Sequence, residues 1–156
     1  MACRYTLSRR VEFADTDSAG IMHFSNYFRF MEVVEHSFFR SLGFSVAPEA
    51  GDGDAPLLWP RVHASCDFRL PLRFEQEVEI ELLVEKIRGK SIRYRFHFWK
   101  AGTSGERVLA AEGRTSVVPV CLAADGQSMR ALEIPQMYRD KIEAASPEML
   151  EKPGAD

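Results

Sequence analysis

Apolar and polar positions along the 156-residue chain follow two different periods, and the points where the period changes divide it into elements. Over residues 5–13 the period is two. Tyr5, Leu7, Val11 and Phe13 share one face, with Arg9 as the exception, which predicts a first strand. The pattern breaks at Ala14-Asp15-Thr16-Asp17-Ser18-Ala19-Gly20, a loop of small and polar residues. Residues 25–42 then take the helical period, and Gly43 stands where a helix stop is expected. At about 100° per residue, Tyr27, Phe28, Phe30, Met31, Val34, Phe38, Phe39 and Leu42 fill about half the circumference of that helix. Ser25, Arg29, Glu32, His36 and Arg40 form a narrow polar stripe opposite. An apolar arc this broad calls for a concave partner, not a flat one.

Residues 47–60 are rich in Gly, Pro and Asp and are expected to be a mobile connection. Alternation returns at Val78, Ile80, Leu82 and Val84, set against Glu77, Glu79 and Glu81 with Leu83 as the exception. It continues at Ile92, Tyr94, Phe96 and Phe98, set against Arg93, Arg95, His97 and Trp99. Each segment reads as a strand with one buried face. If the two form a hairpin, their apolar faces must coincide. A three-residue loop at Arg88-Gly89-Lys90 meets that condition, pairing Val84 with Tyr94 and Glu85 with Arg93, with Gly89 at positive φ. Residues 108–120 read as a further strand, 124–127 as a turn, and 135–144 as a short helix with Pro135 in its first turn. Residues 145–156 are expected to be a disordered tail. No helical segments separate the later strands, so a parallel βαβ sheet is excluded. The prediction is one α+β domain over residues 1–144, a curled antiparallel sheet of about five strands wrapped around one long helix.

Composition narrows the function. The chain is 46% hydrophobic and 28% charged with a net charge of −3, an ordinary globular balance that lacks the strong positive field a nucleic-acid partner needs. No segment is apolar and long enough to span a membrane, and the first ten residues hold three arginines and no apolar run, so no export signal is read there. Cys3, Cys66 and Cys121 form no CxxC pair, which predicts free thiols in a reducing, cytoplasmic setting and no zinc site.

Candidate chemistry concentrates between Asp15 and Asn26. A carboxylate-bearing loop followed by the start of a buried helix suits acyl chemistry, because the free N–H groups of a helix N-terminus can polarise a carbonyl that a carboxylate, or a water it activates, attacks. Spacing alone allows equally that Asp15 or Asp17 simply caps the helix. Glu35 falls inside the apolar arc, so it must be paired, protonated or exposed to a pocket; an ion pair with Arg40 or with an arginine of a neighbouring strand is the favoured reading, and assistance to catalysis from Glu35 or Glu32 the other. His36, His63 and His97 have no ligand-like spacing, and no metal is assigned.

The segment Val11-Glu12-Phe13-Ala14-Asp15-Thr16-Asp17-Ser18-Ala19-Gly20-Ile21, followed by Ser25-Asn26-Tyr27-Phe28, resembles the signature of the 4-hydroxybenzoyl-CoA thioesterase family, a branch of the hotdog superfamily that includes the Tol-Pal-associated acyl-CoA thioesterases. The likeness runs on through Arg88-Gly89-Lys90-Ser91 to Ala131-Leu132-Glu133-Ile134-Pro135. It implies a hotdog fold that hydrolyses acyl-CoA thioesters with no cofactor, CoA being part of the substrate. It makes Asp17 the catalytic carboxylate and the Phe24 backbone amide the oxyanion donor, with Asp15 ordering the loop. Where many relatives carry Tyr-His this chain has His23-Phe24, so a proton-transfer role for His23 becomes the weaker reading beside a pocket-edge one. The resemblance implies nucleotide contacts at Arg88, Lys90 and Ser91. Gly20, Met22, Tyr27, Trp59 and Pro60 are expected around the substrate. Relatives join sheets edge to edge as dimers, commonly as tetramers, with sites between protomers. Two rival functions share this fold: a non-catalytic binding module for acyl-CoA or acyl-carrier protein, and an enoyl-CoA hydratase for which His36 would be needed.

Overall fold

A computed structural model describes residues 1–46, 56–123 and 125–151. Its elements are β1 (Arg4–Arg10), α1 (Phe24–Ser41), β2 (Leu57–Leu58), β3 (Arg61–Phe68), β4 (Glu77–Ile87), β5 (Ile92–Ala101), β6 (Arg107–Val117), β7 (Val120–Leu122), β8 (Met129–Ala131), α2 (Gln136–Arg139) and α3 (Pro147–Glu151). Five strands form one antiparallel sheet in the order β1-β4-β5-β6-β3, and β2-β7-β8 make a second sheet of three. The large sheet curls around α1, the α+β hotdog arrangement that the periodicity and the resemblance predict.

The helix forms where its sequence has neither Gly nor Pro, and it ends at Gly43, whose φ of +83° only glycine adopts freely. Its buried face is Tyr27, Phe30, Met31, Val34, Glu35, Phe38 and Phe39. The sheet answers with Val78, Ile80, Leu82, Val84, Tyr94, Phe96 and Phe98, all fully buried in the same core. Closest approach is at Gly113 of β6, where an added Cβ would lie 2.1 Å from the Met31 Cε. Met31 is itself fully buried, so the missing side chain at 113 is the slot it occupies.

Glu35 is 2% exposed, and its Oε2 accepts a hydrogen bond from Arg61 Nη2 at 2.9 Å. Arg61 Nη1 donates to Glu32 Oε1, also at 2.9 Å. This is the arginine of a neighbouring strand expected as the partner of Glu35, and it ties α1 to β3. Burial still pushes the Glu35 carboxyl up to about 7.

Several local expectations are corrected. The first strand stops at Arg10, and Phe13 is 76% exposed in a 3-10 turn spanning Phe13–Asp15. Val84 does pair with Tyr94, but a bulge at Glu85 shifts the register so that Lys86 pairs with Arg93 and Ile87 with Ile92. The hairpin loop is therefore Arg88–Ser91, closed by Arg88 N–H donating to Ser91 O at 2.8 Å. Gly89 is not at positive φ; the side chain of Glu133 approaches it closely, 2.8 Å from where a Cβ would stand. The 108–120 strand is two strands broken before Val120, since Pro119 has no N–H to continue the ladder. The helix expected over 135–144 is the single turn α2, with Pro135 as its N-cap. Of the 47–60 connection, residues 47–55 lie outside the described residues, as does Ala124 of the 124–127 turn, while Leu57–Leu58 pair with β7. Of the expected tail, 145–151 carry ordered contacts: Ala145 N–H donates to Val84 O at 2.8 Å, and Leu150 O accepts from Arg95 Nη1 at 2.7 Å. Residues 152–156 lie outside the described residues.

Each of β4 and β5 was expected to have one buried face, yet on their other face His97 is also fully buried. Its ring lies between Glu81 (3.1 Å) and Glu112 (3.6 Å), and Arg4 and Arg114 close the row at 2.6 Å from those two carboxylates.

Two outcomes test this packing. Gly113→Ala destabilises by about 1–3 kcal/mol in urea unfolding, and the cost shrinks in a Met31→Ala background because the clashing atoms are gone; equal costs in both backgrounds would show that Met31 does not fill the slot. Glu35 holds its proton more tightly folded than unfolded, so its contribution to stability falls as pH rises from 4.5 to about 7. Glu35→Gln keeps the shape without a titrating proton. Its stability relative to the parent chain therefore climbs across that window, by at most about 3 kcal/mol at 1.36 kcal/mol per pH unit, as melting temperatures over pH 4–8 measure; a flat difference refutes it.

Candidate active site

The loop after β1 is fastened to the first turn of α1 by backbone groups. Glu12 N–H donates to Asp15 Oδ2 at 2.9 Å, and Asp15 O accepts from His23 N–H and from Asn26 Nδ2, each at 2.8 Å. Asp15 thus spends both its carboxylate and its carbonyl on order, as the resemblance implies, and Asn26 holds the loop to the helix. The next turn belongs to Asp17. Its N–H donates to Ile21 O at 2.9 Å, its carbonyl accepts from Gly20 N–H at 3.0 Å, and Oδ1 accepts from Ala19 N–H at 2.8 Å. Gly20 sits at φ +73°, a conformation other residues rarely adopt.

Asp17 is half-buried and makes no ion pair among the described residues. It lines a cavity of about 450 Å³ together with Ile21, Met22, Phe24, Tyr27, Phe68, Arg69, Leu70 and Pro71. At the same place α1 begins. Its first amide, that of Phe24, has no acceptor among the described residues and carries the partial positive charge of the helix end. His23 is the N-cap: its Nδ1 accepts from Ser25 N–H at 3.3 Å and lies 2.8 Å from Ser25 Oγ, and its ring sits 4.5 Å from that of Phe24. Tyr27 packs edge-on to Phe68 and Phe98 at 4.9 and 5.2 Å, and burial pushes its hydroxyl up to about 12, so it stays protonated.

The expected site residues fall into separate groups. Asp17, Gly20, Met22, His23, Phe24 and Tyr27 gather at one end of the sheet. Arg88, Lys90 and Ser91 sit on the β4–β5 hairpin at the other, about 33 Å away along the eleven residues of β4. There Arg88 and Ser91 form a small basic recess with Lys86, Arg93 and Ser116. Trp59 and Pro60 are not walls of the Asp17 cavity within the chain. Trp59 packs on Phe39 (5.6 Å) and Tyr138 (5.1 Å), near the C-terminal end of α1, and Pro60 O accepts from Val118 N–H at 3.2 Å. Glu35 is committed to Arg61 and lies about 16 Å along the helix from Phe24.

The cavity wall from Phe68 to Pro71 was missed by sequence reasoning because β3 was missed. Its signal was present but weak: Val62, Ala64, Cys66 and Phe68 alternate with His63, Ser65 and Asp67, and small residues carry little hydrophobic contrast.

Known proteins share this fold. A 4-hydroxybenzoyl-CoA thioesterase of Pseudomonas sp. (strain CBS-3) is 28% identical over 142 residues, 88% of this chain and 96% of that protein. A 1,4-dihydroxy-2-naphthoyl-CoA hydrolase of Prochlorococcus marinus (strain NATL2A) is 31% identical over 101 residues, but the match spans 62% of this chain and only 65% of that protein's length. The crystal structure of a 4-hydroxybenzoyl CoA thioesterase mutant, D17N, complexed with 4-hydroxybenzoyl CoA, superposes with a TM-score of 0.77 at 25% identity, covering 89% of this chain and 98% of that one. The family model of the thioesterase-like superfamily matches residues 11–149, and the chain belongs to that superfamily.

Proposed function

We propose that this chain is an acyl-CoA thioesterase in which Asp17 is the catalytic carboxylate. The observation that carries the reading is the meeting, in one largely apolar cavity, of a carboxylate free of any ion pair among the described residues and the unpaired first amide of α1. A thioester carbonyl oxygen placed on the Phe24 N–H is polarised by the helix end, and its carbon then faces Asp17. The carboxylate attacks that carbon, or deprotonates a water that does. The C–S bond breaks and the electron pair leaves with sulfur as CoA thiolate. In the direct route the acyl group is held on Asp17 as a mixed anhydride until water cleaves it. In either route water supplies the new carboxyl oxygen of the free acid and the proton the thiolate takes up. The hydratase alternative depends on His36, which lies about 18 Å along α1 from Phe24 and has no access to this cavity. The binding-module alternative leaves the uncommitted oxygen of Asp17 without a purpose.

The active unit in this reading is a dimer. Strand β3 is one of the two edges of the sheet and exposes Val62 (64%) and Phe68 (51%). Antiparallel pairing of β3 with a second copy about a two-fold axis sets the Arg61 end of one strand against the Phe68 end of the other. That pairing carries the basic hairpin of one protomer towards the Asp17 cavity of its partner, which accounts for the separation of Arg88, Lys90 and Ser91 from Asp17 in a single chain. Arg88 and Lys90 then take the nucleotide phosphates of CoA.

Asp17→Asn lowers thiol release from acyl-CoA by at least about 10²–10⁴-fold, read with a thiol-reactive dye, while the melting temperature stays near that of the parent chain; wild-type turnover in this variant removes the assignment. Mixing inactive Asp17→Asn with inactive Arg88→Ala/Lys90→Ala, followed by subunit exchange, restores about a quarter of the parent activity, because half the dimers are mixed and each carries one intact site. No recovery overturns the site shared between protomers.

A further inference from the structure

The Asp17 cavity holds a second charge that the reaction above does not use. Arg69, the residue after β3, lines the same space, and its guanidinium has neither a hydrogen-bond nor an ion-pair partner among the described residues. Six other arginines, Arg4, Arg10, Arg61, Arg95, Arg107 and Arg114, each lie against a glutamate. Asp17 and Arg69 share one cavity and yet do not pair.

Both segments are anchored by hydrogen bonds. Ala110 O accepts from both Arg69 N–H (2.9 Å) and Leu70 N–H (3.0 Å), and Pro71 O accepts from Lys100 Nζ at 2.8 Å, so the chain is pinned on either side of the side chain. Asp17 is pinned in turn by Ala19 N–H. Much of the remaining wall is apolar, with Met22, Tyr27, Phe68 and Leu70. A ligand filling this space shares it with a carboxylate, a guanidinium and hydrocarbon.

We propose that Arg69 is a specificity-determining residue that binds an anionic substituent, a carboxylate or phenolate, on the acyl group whose thioester carbonyl lies between Asp17 and the Phe24 amide. The inference rests on the acyl-CoA hydrolase reading. The guanidinium is always charged, and its fork of donors matches a carboxylate in a bidentate pair. Once the acyl group displaces water from the apolar wall, that pair is screened less and gains strength. Phosphates of CoA are a poorer match, because the pantetheine arm separates them from the thioester and Arg69 lies within the same cavity as Asp17. The basic recess at the β4–β5 hairpin is the better place for them.

The test uses substrates paired as carboxylate against methyl: 4-carboxybenzoyl-CoA against 4-methylbenzoyl-CoA, and adipoyl-CoA against hexanoyl-CoA. The parent chain favours the anionic member of at least one pair by about tenfold or more in kcat/KM. Arg69→Met collapses that ratio to one or below, and Arg69→Lys restores part of it, since the charge returns without the fork. A ratio that is the same in the parent and in Arg69→Met, or an equal loss on both members, overturns the role of Arg69. Asp17-dependent hydrolysis of the neutral member in that same experiment leaves the hydrolase reading standing. Absence of hydrolysis of any member by the parent chain overturns both.

Discussion

Burial of the apolar arc of α1 in the concave face of the five-stranded sheet is the constraint on which the site depends. A helix held by non-directional contacts alone could rotate or slide, and a slip of one residue turns it by about 100° and moves it by about 1.5 Å. Two contacts remove that freedom. Met31 occupies the slot left by Gly113, which sets height and depth, and Glu35 is held by Arg61, which sets rotation. With the helix locked, its first amide is delivered to the end of the sheet where β1 releases the Asp17 loop.

That loop divides its labour between two carboxylates only two residues apart. Asp15 is absorbed by local hydrogen bonds to Glu12, His23 and Asn26, and its role is to hold the turn against the helix. Asp17, on the next bend, has one oxygen fixed by Ala19 and leaves the other uncommitted beside a cavity. The fixed oxygen is as useful as the free one, because a carboxylate already held in place loses little freedom when it acts. His23, adjacent in sequence, has been drawn into capping α1, which gives its ring nitrogen a structural partner in Ser25.

On the outer face of the sheet, charge does what hydrocarbon does within. The row Arg4–Glu81–His97–Glu112–Arg114 closes a surface that would otherwise be wet, with each carboxylate against an arginine, and the hydrogen bond from His97 in particular holds the Glu81 carboxyl below its ordinary range. Residues 145–151 pack along this side through Arg95 and Val84.

Periodicity was enough to read the long elements. The arc of α1 and the alternation of β4 and β5 reflect a buried face, and burial writes itself into sequence at the spacing of the element. The hotdog arrangement followed, because a helix so broadly apolar and a run of strands without intervening helices leave few ways to hide both. The acidic loop and its Asn26 were legible for a different reason: their hydrogen bonds are local, spanning eleven residues or fewer. What tertiary structure decided were matters between distant segments. The bulge at Glu85, the partner of Glu35, the burial of His97 and the cavity wall from Phe68 to Pro71 depend on what lies across a strand or against a helix, and no spacing along the chain encodes that. Trp59 shows the same limit from the other side. An aromatic near the end of a connection fits a pocket or a core equally well by pattern, and only the positions of Phe39 and Tyr138 assign it to the core of its own chain.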